Sequence, residues 1–116
     1  MAKENIIIDK IFEFSLRIIE LYNYLTIEKK EYILSKQLLK SATSIGANVE
    51  EATAAQSRKD FLSKMSIASK EARETTYWLR LLMKSNYITD NCILNNSIEI
   101  KRIITFVVKT TLAQKD

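Results

Sequence analysis

Proline and histidine are absent from this sequence, and glycine and cysteine occur once each. Sheets and loop-rich folds draw on glycine and proline at their turns, whereas helix interiors exclude both. Their scarcity excludes a turn-dense β fold and points to long helices joined by short polar connections. Without histidine the chain lacks the commonest general base and the commonest zinc ligand. A di-iron bundle built on Glu-x-x-His pairs is excluded with them. One glycine cannot build a loop that cradles phosphate. The lone Cys92 can form no internal disulfide and fits a reducing compartment; it reads as a small apolar residue near a helix start. No apolar run reaches bilayer length, and Lys3, Glu4, Asp9 and Lys10 fall where a signal peptide needs unbroken apolar sequence. A cytoplasmic protein with no membrane partner is expected.

What is present is enough hydrophobic sequence, 47% of 116 residues, for one core and one domain over 1–116. Ile7, Ile11, Phe14, Ile18, Leu21 and Leu25 alternate in spacings of four and three and predict a helix over about 4–25. Ile8, Phe12, Ile19 and Tyr22 widen its apolar face. A second helix, about 32–54, carries Leu34, Leu38, Ile45 and Ala52, with Ala42, Gly46 and Val49 beside them. Gly46 in mid-helix costs about 1 kcal/mol against alanine. Close approach of another helix where no side chain fits is the expected compensation, a kink the alternative. Ser57 and Asp60 form a helix-start pair for a third helix reaching about 85, with the seam Phe61, Met65, Ala68, Ala72, Thr75, Leu79 and Leu82. Thr89 or Asp90 caps a fourth, whose face includes Ile93, Ile100, Ile104 and Val107. Four such helices on short connections predict an all-α, antiparallel up-down four-helix bundle.

Large residues also lie outside the main stripes, notably Ile19, Ile67, Trp78, Leu81 and Leu94. Contiguous apolar patches of that kind seldom survive on soluble monomers, so a homo-oligomer is expected, with Ile67, Trp78 and Leu81 at the interface. The competing reading pads a wide core with them.

The net charge of +4 is mildly basic, and its distribution is uneven. At roughly 100° per residue, Arg58, Lys59, Lys70, Arg73, Tyr77, Arg80 and Lys84 fall on one flank of the third helix. Asp60, Glu71 and Glu74 fall on the other with Ile67 and Trp78. Cations spaced along a helix can follow a phosphate backbone, and an exposed aromatic can stack on an unpaired base. The alternative is a solvated face paired with acidic groups of a neighbouring copy. Glu50, Glu51, Glu71 and Glu74 raise the question of magnesium, but glutamates one turn apart are ordinary on solvated helices, so no metal, cofactor or enzymatic role is expected.

The stretches Ser44-Ile45-Gly46-Ala47-Asn48-Val49-Glu50-Glu51-Ala52, Ser57-Arg58-Lys59-Asp60-Phe61, Ile67-Ala68-Ser69-Lys70-Glu71-Ala72-Arg73-Glu74-Thr75 and Tyr77-Trp78-Leu79 carry a resemblance. The chain resembles the bacterial four-helix-bundle family encoded in intervening sequences of large-subunit (23S) ribosomal RNA genes. The resemblance implies a ring-like homopentamer without a defined biochemical role. A related branch, the accessory variability determinant of diversity-generating retroelements, is a basic pentameric barrel that binds nucleic acid and a reverse transcriptase. By that likeness RNA or single-stranded nucleic acid is the implied partner, and a protein-interaction or scaffold role anchored on Trp78 and Leu81 is the alternative. Gly46, Asn48 and Glu74 match the family's structural signature: Gly46 as a helix contact, Asn48 as a buried register-fixing residue, Glu74 as a partner for a basic group such as Arg58 or Arg80 of another helix or subunit.

Overall fold

The computed structural model describes the backbone over residues 2–114 and side chains over 6–114. Four helices follow one another: α1 (Ala2–Ile27), α2 (Leu34–Thr53), α3 (Arg58–Lys84) and α4 (Asn91–Ala113), with no strand among the described residues. They form a rod of 51 × 22 × 20 Å. Each helix packs on its neighbours in sequence, α1 also meets α4 more sparsely, and the diagonal pairs make no close backbone contact. No described helix is long and apolar enough to cross a membrane.

The expected seams are the core. Ile11, Phe14, Ile18 and Leu25 of α1, Leu38, Ile45 and Ala52 of α2, Met65 to Leu82 of the α3 seam, and Ile93, Ile100 and Ile104 of α4 are all buried. The second row of α1 behaves differently: Ile8 is half-buried, whereas Phe12 and Ile19 stand 56% and 42% exposed. Leu112, expected on the α4 face, is exposed as well.

Two buried hydroxyl pairs set the axial register. Thr75 Oγ1 of α3 lies 2.9 Å from Ser41 Oγ of α2, and the adjacent Thr76 Oγ1 lies 2.8 Å from Ser97 Oγ of α4. With Lys64–Glu51 at 2.9 Å the first pair shows α3 running opposite to α2. Arg58, bonded to the carbonyls of Thr111 and Gln114, shows the same for α3 and α4. Asn48 donates to Ser44 O and Ser44 Oγ of its own helix and is half-buried, with no side-chain bond to another helix among the described residues.

Caps define the helix starts. Ser57 Oγ accepts from Asp60 N at 3.0 Å, and Asp90 Oδ1, rather than Thr89, accepts from Cys92 N at 2.9 Å, leaving Cys92 exposed in the first turn. The start of α2 is capped from outside the helix. Glu31 Oε2 accepts from Ile33 N and Leu34 N at 3.1 and 2.9 Å, and Oε1 accepts from Ser35 N at 2.7 Å. Glu31 is 8% exposed. Burial alone would raise its pKa, but the amides of Leu34, Ser35 and Ile33, with the Ser35 hydroxyl, outweigh that and hold the carboxyl below its usual 4.5. With glycine absent from the loops, Lys30 and Asn86 take the left-handed turns after α1 and α3, at φ 56° and 67°.

Gly46 faces α1, but the space is not closed. A Cβ there would lie 3.4 Å from Ile11 Cγ2 and 3.7 Å from Ser15 Oγ, ordinary contacts, so packing within one chain does not require glycine.

Two stability outcomes follow. Gly46→Ala should raise the unfolding free energy by about 1 kcal/mol, read by urea denaturation; a loss instead would mean that Ile11 cannot yield. Because the folded pKa of Glu31 is lowered, its contribution is complete above the unfolded value and lost as pH falls through the folded one. Glu31→Gln should cost about 1–2 kcal/mol at neutral pH and flatten the decline between neutrality and acid. An unchanged acid profile would assign that decline to other carboxylates.

Candidate nucleic-acid interface

The core-facing side of α3 runs through Met65, Ala68, Ala72, Thr75, Leu79 and Leu82. Tyr77 lies opposite, and the seven basic-flank residues distribute around it. All seven are exposed: Arg58, Lys59, Lys70, Arg73, Tyr77, Arg80 and Lys84. They do not all serve the same face. Arg58 turns to α4, donating to Thr111 O and, at 2.6 Å, to Gln114 O, where a cation complements the carbonyls ending a helix. Lys59, Lys70, Arg73, Arg80 and Lys84 make no ion pair within 4.0 Å among the described residues. Their charge is left facing solvent around Tyr77, which is 52% exposed. The rings of Tyr77 and Trp78 meet edge to face, with centroids 5.1 Å apart at 70°.

The other flank of α3 faces α2. Lys64 pairs with Glu51 across that boundary. Glu71 is partly buried, and its pKa is raised by desolvation and by the neighbouring Glu74, with Lys70 and Lys40 opposing. Glu74 has no ion pair among the described residues, so the expected partners Arg58 and Arg80 do not meet it within this chain. No group of three or more acidic or cysteine side chains is placed to hold a metal ion among the described residues.

The three residues expected at an interface separate. Ile67 is 40% exposed, Leu81 is half-buried, and Trp78 is half-buried and packed on the core, its Nε1–H enclosed without an acceptor among the described residues. The more exposed apolar ridge is on α1, where Phe12, Leu16 and Ile19 repeat at spacings of four and three on the outer side. Asp9, Glu13 and Glu20 flank it.

Sequence reasoning missed a row on α4. Arg102, Phe106 and Lys109, at spacings of four and three, are all exposed, Phe106 by 69%. The spacing was visible in the sequence; where the row lies relative to α3 was not. At about 100° per residue from Ser97, which meets Thr76 of α3, Lys109 and Arg102 fall on the outer side of α4, and Phe106 falls on the side away from α3, one heptad from Glu99.

A family model described as 23S rRNA-intervening sequence protein matches residues 3–108. The chain belongs to this family. A solved protein of unknown function from the S23 ribosomal protein family of Bacteroides thetaiotaomicron is 50% identical, with TM-score 0.88 over 92% of this chain and 98% of that one. No curated protein matches. Membership gives the fold and leaves activity undefined, so charge and exposure must carry the functional reading.

The different settings of Trp78 and Ile67 can be measured. Trp78→Ala should remove about 3 kcal/mol or more of unfolding free energy, while Ile67→Ser should change it by less than about 0.5 kcal/mol. Equal, small effects would place Trp78 outside the core.

Proposed function

We propose that the chain is a non-enzymatic, single-domain, antiparallel up-down four-helix bundle that assembles as a homopentamer and binds RNA or single-stranded nucleic acid through the basic flank of α3. The observation that carries the binding reading is the set of five exposed cations, Lys59, Lys70, Arg73, Arg80 and Lys84, none in an ion pair within 4.0 Å among the described residues. Cations kept for a fold are commonly drawn into pairs or caps, as Lys64 and Arg58 are here. Unpaired cations along one helix suit a polyanion, whose condensed counterions are released on binding. Repetition around an oligomer would multiply the field.

Self-association is supported by the exposed Phe12, Leu16 and Ile19, which a lone chain leaves in water. The same ridge favours the second reading, a protein-interaction or scaffold module in which α1 receives a different protein.

Light scattering on the purified protein should give five times the 13.4 kDa chain mass. Fluorescence titration with single-stranded RNA at two salt concentrations should show affinity falling steeply with salt. Replacing Arg73, Arg80 and Lys84 by alanine should flatten the slope of log K against log salt by roughly 2, at about 0.7 per lost contact. Binding absent even at low salt, with the pentamer intact, would favour the scaffold reading.

A further inference from the structure

A cleft opens on the outside of the rod between α1 and α2. Phe12 and Ser15 of α1 and Thr43, Gly46, Ala47 and Glu50 of α2 line it, and its volume is about 210 Å³. A cavity of about 150 Å³ with apolar walls already holds benzene. Gly46 and Ala47 leave little side chain on the α2 wall, and Phe12 stands exposed at the rim. Among the described residues no lysine or arginine lines the cleft; Glu50 does, and Asp9, one turn before Phe12, is exposed beside it.

Phe106 has the complementary form. It stands 69% exposed on α4 with Arg102 and Lys109 one turn to either side, and neither cation is in an ion pair within 4.0 Å among the described residues. An apolar knob between two cations thus matches an apolar cleft between two carboxylates.

Knob and cleft lie at nearly one height. Ser41 meets Thr75 and Thr76 meets Ser97, so with helices running in opposite directions Gly46 is level with Lys70 and with Ile103. Phe106 is three residues further, roughly 5 Å along the rod. Copies standing side by side can therefore bring Phe106 of one to the cleft of the next. The two features also look out from adjacent sides of the rod. The cleft is on the α1–α2 side. Phe106, half a turn from Ser97 and one heptad from the Lys10-bound Glu99, is on the outer side of α4 towards α1. Contact directions roughly a right angle apart turn each copy relative to the last, so a few copies close a ring; opposed directions would build a row. Tyr77, the other exposed ring among cations, stands on α3, diagonal to α1, and looks away from the cleft, which suits a row and not a ring.

We infer that neighbouring copies meet head to tail, with Phe106 of one seated in the α1–α2 cleft of the next and Arg102 and Lys109 set against its Asp9 and Glu50. This rests on the self-association reading above and adds which two faces meet. The arrangement turns α1 towards the ring axis and leaves the basic flank of α3 on the outside, open to a polyanion.

Light scattering on the full chain and two variants tests it. Phe106→Asp sets a carboxylate against Asp9 and Glu50, and Ala47→Arg fills the cleft and repels Arg102. Both positions are exposed, so both variants should keep the helical circular dichroism of wild type. Each alone should fall to the 13.4 kDa of a single chain. Mixed in equal amounts they should form pairs of twice that mass, because one retains the cleft and the other retains Phe106. The inference is overturned if Phe106→Asp keeps the wild-type mass or if the mixture stays at the mass of one chain. A wild type of single-chain mass would instead remove the self-association reading itself and leave the cleft to a different protein.

Discussion

Two neighbouring threonines hold the arrangement together. Thr75 and Thr76 project from one turn of α3 about 100° apart, one meeting Ser41 of α2 and the other Ser97 of α4. Apolar seams resist separation of helices but discriminate weakly against sliding, because one leucine replaces another a heptad away. A buried hydroxyl is less forgiving. Sliding α3 would part Thr75 from Ser41 and Thr76 from Ser97; Thr75, Thr76 and Ser41 would keep the carbonyls of Glu71, Ala72 and Leu38 in their own helices, and the cost of about 1–3 kcal/mol for an unsatisfied group would fall on Ser97. The threonines therefore decide which residues of α3 stand level with which residues of its neighbours, and every cross-helix relation on the surface inherits that register.

The ends of the helices show a similar economy with few special residues. A chain without proline and with its only glycine inside a helix must turn by other means. Lys30 and Asn86 accept left-handed backbone, and Glu31 supplies from the loop the acceptors that Ile33, at the N-cap of α2, cannot. Buried and bonded to three amides, Glu31 joins the α1–α2 connection to the first turn of α2. The connection is thereby made part of the packed structure.

Heptad spacing made the four helices and most of their core legible, because spacings of three and four leave little choice of face for Ile11, Phe14 and Ile18 or for Met65 through Leu82. Residues at the border of a stripe were less determinate. Trp78 sits about 100° from Tyr77, where packing on the core and packing on another copy look alike in sequence; within the chain it is half-buried and lies against the core. Phe12 shows the reverse, reading as a second core row yet standing exposed. Asn48 looked like a register residue because a polar group on an apolar stripe often is, but its amide is satisfied one turn away by Ser44. The basic flank of α3 was readable from one helix alone. Where the α4 cations stand relative to that flank needed the relation between two helices, which no periodicity records.

Helices α3 and α4 hold ten lysines and arginines against four acidic residues, whereas α1 and α2 hold five against six, so the two halves of the rod share charge unequally. This gives the molecule a dipole moment across its short axis. Near any strong field this produces a torque that rolls the rod about its length and brings the α3–α4 side to the front before contact. An elongated body rolls about its long axis with little drag, so this reorientation is the rotation its shape resists least.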